Sequence, residues 1–154
     1  MFVVTAQGGL LIDPAFSARP DAPDHYLNNQ GRVSWDFSTN REDAWVVGVE
    51  VMPGESINAG IQFSCEGKTA FRYVPKLTGG KKNLILLHWL GFPASDQLDC
   101  IDGITLLFYT SDIKTAEPIS LQLGRTVVFG NRRQLRDFLR ENADLQVNRD
   151  GAQL

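Results

Sequence analysis

The sequence has few of the residues from which common catalytic and metal sites are built. Its 154 residues include two histidines, His25 and His88, and two cysteines, Cys65 and Cys100. It contains no Gly-x-Ser-x-Gly elbow, Cys-x-x-Cys pair, EF-hand spacing or phosphate-binding loop. We therefore expect a domain that is not an enzyme. A small hydrolase with two acidic residues is the remaining enzymatic alternative, because paired carboxylates have no fixed spacing in a sequence.

Long basic runs and long apolar runs are also missing. The formal net charge is −3, and the longest basic clusters are the pairs Lys81-Lys82 and Arg132-Arg133. Nucleic-acid binders usually carry a basic stripe, so we expect no nucleic-acid partner. No stretch approaches the ~20 apolar residues that a membrane-spanning helix needs, and the N-terminus has no signal-peptide pattern. We therefore expect no membrane partner.

The two cysteines and the small acidic groups have structural interpretations. Each cysteine lies in or beside an apolar run, which favours two buried thiols that pack as small hydrophobes. A disulfide is the alternative if the protein is secreted. The acidic groups Asp21-x-x-Asp24-His25 and Asp99-x-x-Asp102 are typical of turns, since Asp bonds its own backbone in loops. We predict no cofactor, with a structural calcium ion in such a loop as the alternative.

Apolar residues recur with a period of two through most of the chain. Val33, Trp35 and Phe37 alternate strictly with polar residues, as in a half-buried strand. In the last run, Leu121, Leu123, Val127 and Phe129 are in phase. The strands and turns between them predict an all-β fold, an antiparallel β-sandwich of the jelly-roll type with about eight strands. The predicted strands cover residues 32–38, 44–51, 57–65, 69–74, 83–90, 101–109 and 119–129, with a weaker hairpin over 2–6 and 10–13.

One short helix is predicted near the C-terminus. Asn131 and Gln134 form a loose capping box, and Leu135, Phe138 and Leu139 follow at helical spacing. The helix is expected over residues 132–145, lying on the sandwich or leading to a following domain.

The domain organisation follows from these elements. We assign residues 1–130 to the β-sandwich and residues 131–154 to a helix and tail that link it to a following domain. The chain ends without a closing element, which favours a piece of a longer protein.

Aromatic residues are the most informative class for function. Sugar rings stack on flat aromatic faces while their hydroxyls bond polar neighbours, so a sugar site needs exposed rings beside polar side chains. Alternation places Trp35 and Trp45 in phase with core residues, and Tyr73 and Tyr109 on exposed phases. The ligand-binding candidates are Trp89, Tyr109, Tyr73, Arg72, Gln62 and Arg125.

Three segments resemble jelly-roll carbohydrate-binding-like modules, which accompany agarases and β-galactosidase-like glycoside hydrolases. They are Val33-Ser34-Trp35-Asp36-Phe37, Val51-Met52-Pro53-Gly54, and the run from Ile101-Asp102-Gly103-Ile104 to Tyr109. The resemblance covers roughly residues 30–130. The last strand of such modules often carries an Asp that helps to bind calcium, and residues 121–129 contain none.

The resemblance implies a non-catalytic module of a larger carbohydrate-active protein. It implies a polysaccharide or oligosaccharide as ligand and an adjacent catalytic domain of the same chain as partner. An extracellular or periplasmic location follows if the parent protein degrades polysaccharides. The alternative is a structural or interaction domain that packs against a catalytic neighbour through the apolar stripe of the helix.

Overall fold

The computed structural model describes residues 2–5, 9–12, 31–88, 98–109 and 119–148. In these residues there is one helix, α1, at Arg132–Glu141, and it is too short to cross a membrane. The strands of the same residues are β1 Phe2–Thr5, β2 Gly9–Ile12, β3 Gly31–Asn40, β4 Val46–Pro53, β5 Ile57–Cys65, β6 Lys68–Leu77, β7 Asn83–His88, β8 Cys100–Tyr109, β9 Ile119–Phe129 and β10 Gln146–Asn148.

The strands form two sheets with the strand order of a jelly roll. Sheet A has the order β1-β9-β4-β7-β10, with β2 also paired to β9, and sheet B has the order β3-β8-β5-β6. If β1 and β2 count as one interrupted strand, each sheet has four strands apart from β10, and the chain crosses repeatedly between the sheets. The predicted antiparallel β-sandwich is confirmed.

The expected N-terminal hairpin is wrong. β1 pairs antiparallel with β9 from Val128 to Arg125, and β2 pairs antiparallel with β9 from Gln122 to Ile119. The two short strands therefore lie one after the other along the same edge of β9. An isolated hairpin of such length is marginal in water, whereas β9 offers both segments an existing sheet.

The main core lies between the sheets and follows the predicted alternation. One face of β5 is buried along its whole length, and so are the residues of the neighbouring strand β8 that point to the same side of sheet B. The predicted hairpin between β5 and β6 is also confirmed, with Cys65 opposite Lys68. Its two turn residues have positive φ, 51° at Glu66 and 83° at Gly67, as a two-residue hairpin turn of type I′ requires. The core residues of β5 and β8 are Ile57, Ala59, Ile61, Phe63, Cys65, Ile101, Ile104, Leu106 and Phe108.

Helix α1 covers the other face of sheet A. Leu135 and Phe138 are buried there, with the Phe138 ring 5.2 Å from the ring of Phe129. Because α1 and sheet B cover opposite faces, the central strands β4 and β7 are apolar on both sides. The predicted cap is present, since Asn131 Oδ1 accepts from the backbone N–H of Gln134 at 3.0 Å.

The helix ends earlier than expected, and a strand follows it. The backbone N–H and the side-chain amide of Asn142 both donate to the carbonyl of Phe138, at 3.0 and 2.9 Å. The chain then forms β10, which pairs in parallel with β7. Residues 131–148 therefore pack on the sandwich, and a link from here to a following domain stays a prediction.

A bulge reverses the alternation within β9. The register between β4 and β9 shifts around Glu50, opposite Gly124 and Arg125. Leu121 faces the main core, whereas Val127 and Phe129 face α1. The expected common face of Leu121, Leu123, Val127 and Phe129 is thus wrong, because one inserted residue turns the rest of a strand over.

Cys65 and Cys100 form a disulfide, with 5.5 Å between their Cα atoms. The expectation of two buried free thiols is therefore wrong. β5 and β8 are antiparallel neighbours, and their pairing brings the end of one strand beside the start of the other. The two cysteines are 35 positions apart in the chain, and the pairing of β5 with β8 brings them close enough to bond.

Candidate functional site

The outer face of sheet B, opposite the main core, carries the candidate site. Strand β5 places Asn58, Gly60, Gln62 and Ser64 on this face, because the residues between them point into the core. Pairing with β6 and β8 then sets the neighbours of each residue in rows across the sheet. Gly60 lies between Tyr73 and Leu107, and Gln62 lies between Phe71 and Thr105.

Three aromatic rings surround Gly60 and form what we call the aromatic platform: Phe71, Tyr73 and Tyr109. Phe71 is 43% exposed and Tyr73 is 45% exposed, unlike the other large apolar side chains of the described residues. The rings of Tyr73 and Tyr109 lie 5.6 Å apart at an angle of 33°. A Cβ atom at Gly60 would stand 2.4 Å from Cζ of Phe71 and 2.9 Å from the hydroxyl of Tyr109. Glycine at this position therefore lets the rings lie flat on the sheet.

A polar groove of about 360 Å³ lies on the same face, further along β5. Gly103 lies at its floor. A Cβ atom at this position would stand only 2.8 Å from Oγ of Ser64, so a side chain here would crowd the groove. The hydroxyls of Ser34 and Thr105 are hydrogen-bonded at 2.7 Å. The groove is lined by Ser34, Trp35, Asp36, Ser64, Asp102, Gly103, Ile104 and Thr105.

Asp102 is fixed at the edge of the groove by two hydrogen bonds. A register shift between β3 and β8 lies beside it, where a bulge brings Asp102 to the surface. Its carboxylate accepts from the hydroxyl of Ser64 at 2.9 Å and from the backbone N–H of Glu66 at 2.8 Å. The bond from Glu66, followed by that from Ser64, lowers the pKa of Asp102 below its ordinary value. The carboxylate is therefore ionised at neutral pH.

Three of the predicted ligand-binding residues lie together on this face: Gln62, Tyr73 and Tyr109. Tyr73 is exposed as expected and Gln62 is half-buried, but Tyr109 is only 7% exposed. The exposure expected for Tyr109 is wrong, because its ring packs against Tyr73 in the next but one strand. Trp89 lies outside the described residues.

The two predicted arginines lie elsewhere. Arg72 is opposite Ile61, a core residue, and so belongs to the other face of β6 from Tyr73. Arg125 is in sheet A, where its Nε donates to Glu50 at 2.5 Å and its Nη2 donates to Asn142 at 3.0 Å. Its guanidinium also lies 5.0 Å from the ring centroid of Phe138. Arg125 therefore ties α1 to sheet A and is remote from the aromatic platform.

The tryptophans Trp35 and Trp45 are half-buried and contribute to packing, as expected. Trp35 packs on the main core, and its Nε1 donates to the hydroxyl of Thr126 at 3.2 Å. Trp45 packs on the α1 side of sheet A, with its ring 5.6 Å from His88. In the sequence, Trp45 is in phase with Val47, Val49 and Val51, which face the main core. That expected face is wrong for Trp45, since it precedes β4 and does not continue the alternation of that strand.

Phe71 is the site residue that the sequence interpretation missed. It is two positions before Tyr73, so alternation in β6 places both rings on one face. The Glu66-Gly67 turn sets the hairpin register and puts Phe71 beside Gln62. This signal was present in the sequence.

Within the ranges that the structure describes, no three His, Cys, Asp or Glu side chains are grouped as a metal ion requires. Asp21, Asp24 and His25 lie outside those ranges, so a calcium ion there stays an untested alternative.

No family model and no curated protein matches the chain. The solved structures that it is similar to include the VP2 subviral particle of infectious bursal disease virus, at 18% identity and a TM-score of 0.39 over 86% of this chain and 33% of the viral chain. The structure of the Gt strain of this virus has 20% identity and a TM-score of 0.38, over 86% and 34%. The chain thus spans about a third of these viral chains, and no functional conclusion follows from them.

Proposed function

We propose that the outer face of sheet B binds carbohydrate, and that the chain is a non-catalytic carbohydrate-binding module. The observation that carries the proposal is the aromatic platform, with the exposed rings of Phe71 and Tyr73 from β6 beside Gly60. Exposed aromatic rings on a regular sheet are costly to leave in water, and they offer flat apolar faces to a ligand.

The surroundings of the platform suit a sugar better than a purely apolar ligand. Gln62 lies in the next row of the sheet, and Asn58 accepts from the backbone N–H of Lys76 through its Oδ1 atom at 2.7 Å. The side chain of Gln62 can bond the ring hydroxyls while Phe71 and Tyr73 stack against the C–H face, and Asn58 adds a second amide group to the polar surroundings of the rings. A ligand that combines these two surfaces in one ring is a sugar.

The disulfide supports the same proposal. The Cys65–Cys100 disulfide is typical of proteins in oxidising compartments, where polysaccharide-degrading enzymes meet their substrates. As an accessory module, the sandwich would hold a catalytic neighbour of the same chain on its polysaccharide.

The two alternatives have less support. The interaction-domain hypothesis relied on the apolar stripe of the helix, but Leu135 and Phe138 are buried against sheet A. A hydrolase needs one carboxyl group that stays protonated as a general acid. The hydrogen bonds to Asp102 lower its pKa and act against that role.

The test is calorimetric titration with agar, galactan and glucan oligosaccharides. We expect one of them to bind. We expect Tyr73→Ala and Phe71→Ala each to weaken binding at least roughly fivefold, since an aromatic contact contributes about 1 kcal/mol beyond its buried area. Arg133→Ala, on the exposed side of α1, is the matched control and should bind as the wild type does. All variants should melt near the wild-type temperature. Absence of binding at millimolar concentration would overturn the proposal, and turnover of a chromogenic glycoside would favour the hydrolase.

A further inference from the structure

We propose that the ligand is a chain of several uncharged sugar units that lies along β5, with one part on the aromatic platform and another in the polar groove, and that the groove rejects anionic glycans. This inference rests on the proposed function and specifies its ligand class. It is carried by the position of the groove on the same face and by the charge of its lining.

The distance between the two features sets the length of the ligand. Gly60 marks the centre of the platform and Ser64 lies at the groove, four residues further along β5. At about 3.4 Å per residue, this is about 14 Å, longer than one sugar ring. Gln62 lies halfway, with Thr105 beside it, so polar groups continue from one feature to the other.

Hydroxyl groups and carboxylates dominate the groove. Ser34, Ser64 and Thr105 supply hydroxyls, which both donate and accept, and Asp36 and Asp102 supply acceptors for sugar hydroxyls. The volume of about 360 Å³ admits a ring with its substituents. This part of the face therefore suits the hydroxyl edge of a sugar, just as the platform suits its C–H face.

The charge of the groove decides which glycans fit. Asp36 and Asp102 are both exposed at its edges, and the described residues that line it include neither Lys nor Arg. Nearby, Glu66 and Lys68 are exposed in the β5–β6 hairpin and offset each other in charge. A sulfate or carboxylate in the groove would meet two like charges, and the described residues that line the groove supply no cation to pair with it. Like charges brought together at an interface disfavour the partner.

The first experiment measures affinity against ligand length and charge. The probes are a neutral galactan or glucan oligosaccharide series from the monosaccharide upward, and the sulfated form of the same backbone. We expect affinity to rise until the chain exceeds about 14 Å and then to level off. The sulfated form should bind about tenfold more weakly at low salt, and the difference should shrink at 1 M salt, where the screening length is about 3 Å.

The second experiment removes the charge of the groove. Asp36→Asn should restore binding of the sulfated chain to within about threefold of the neutral chain, a difference of about 0.7 kcal/mol. Binding of the neutral chain should change less than that of the sulfated chain, because Asn keeps one carbonyl oxygen that accepts from a sugar hydroxyl. Asp144→Asn makes the same charge change on the α1 side of the sandwich and is the matched control. A gain of binding cannot arise from a misfolded variant, so the result does not depend on an unchanged fold.

The outcomes separate this inference from the proposed function. If the neutral series binds and requires Tyr73, but the monosaccharide binds as tightly as longer chains, the extended ligand is wrong and the sugar site stands. Equal binding of sulfated and neutral chains by the wild type would overturn the charge selection. If no glycan binds, both proposals fail together.

Discussion

Removing the Cys65–Cys100 disulfide should cost a large part of the stability of the sandwich. The bond closes a loop across 35 positions, and the loss of chain entropy in the unfolded state predicts about 4 kcal/mol for a loop of that size. Both cysteines belong to the main core, Cys65 being buried and Cys100 packed against it. Cys65→Ala combined with Cys100→Ala is therefore preferable to serine, which would bring a hydroxyl into an apolar setting.

The assay is unfolding in urea of the oxidised protein, the reduced protein and the double alanine variant. For a chain of this length, about 4 kcal/mol corresponds to a fall in melting temperature of roughly 8–16 °C. The m value should rise as well, because an unfolded chain without the crosslink exposes more surface. If reduction changes the free energy of unfolding by less than about 1 kcal/mol, the loop-entropy reasoning is wrong. Two reactive thiols in the denatured, unreduced protein would refute the disulfide itself.

Two further predictions concern the charges of the sandwich. Arg125→Ala should lower the free energy of unfolding by about 2 kcal/mol, and Arg125→Lys should recover part of that loss. The effect is smaller than for a fully buried ion pair because the Arg125 side chain is 36% exposed. A change below about 0.5 kcal/mol in a urea titration would contradict this. For Asp102, the folded pKa lies below the ordinary value of 3.8, so its contribution to stability is present above that pH and is lost as the pH falls through the folded pKa. The free energy of unfolding should therefore fall less between about pH 5 and about pH 3 in Asp102→Asn than in the wild type. The urea midpoints of both proteins at the two pH values measure this. An equal fall in both proteins would speak against the assigned hydrogen bonds.

Local alternation was sufficient for much of the architecture. β5 alternates without interruption, and its five apolar side chains lie in the main core as the sequence predicts. The continuous apolar run of β7 is a strand covered on both faces. Such patterns are readable because a strand has a side-chain period of two and each face has one environment along its length.

Alternation failed where the strand was irregular or where the neighbouring strand mattered. The bulge beside Gly124 turned Val127 and Phe129 towards α1. A glycine inside a strand is a local sign of a bulge, but it does not fix which residues change face. β10 has three residues and forms only because β7 offers an edge to pair with. Arg125 broke an apolar pattern and so suggested an exposed ligand contact, yet it pairs with the buried Glu50.

The sequence by itself determined the fold class, the β5–β6 hairpin and the phase that makes Tyr73 an exposed ring, because each depends on neighbours within one or two strands. Only the tertiary structure decided that Gly60 lies between rings from β6 and β8, and that the groove with Asp36 and Asp102 continues from it. It also decided the disulfide between Cys65 and Cys100. The physical reason is that strand order and register bring distant residues together, and neither is encoded in the periodicity of a single strand.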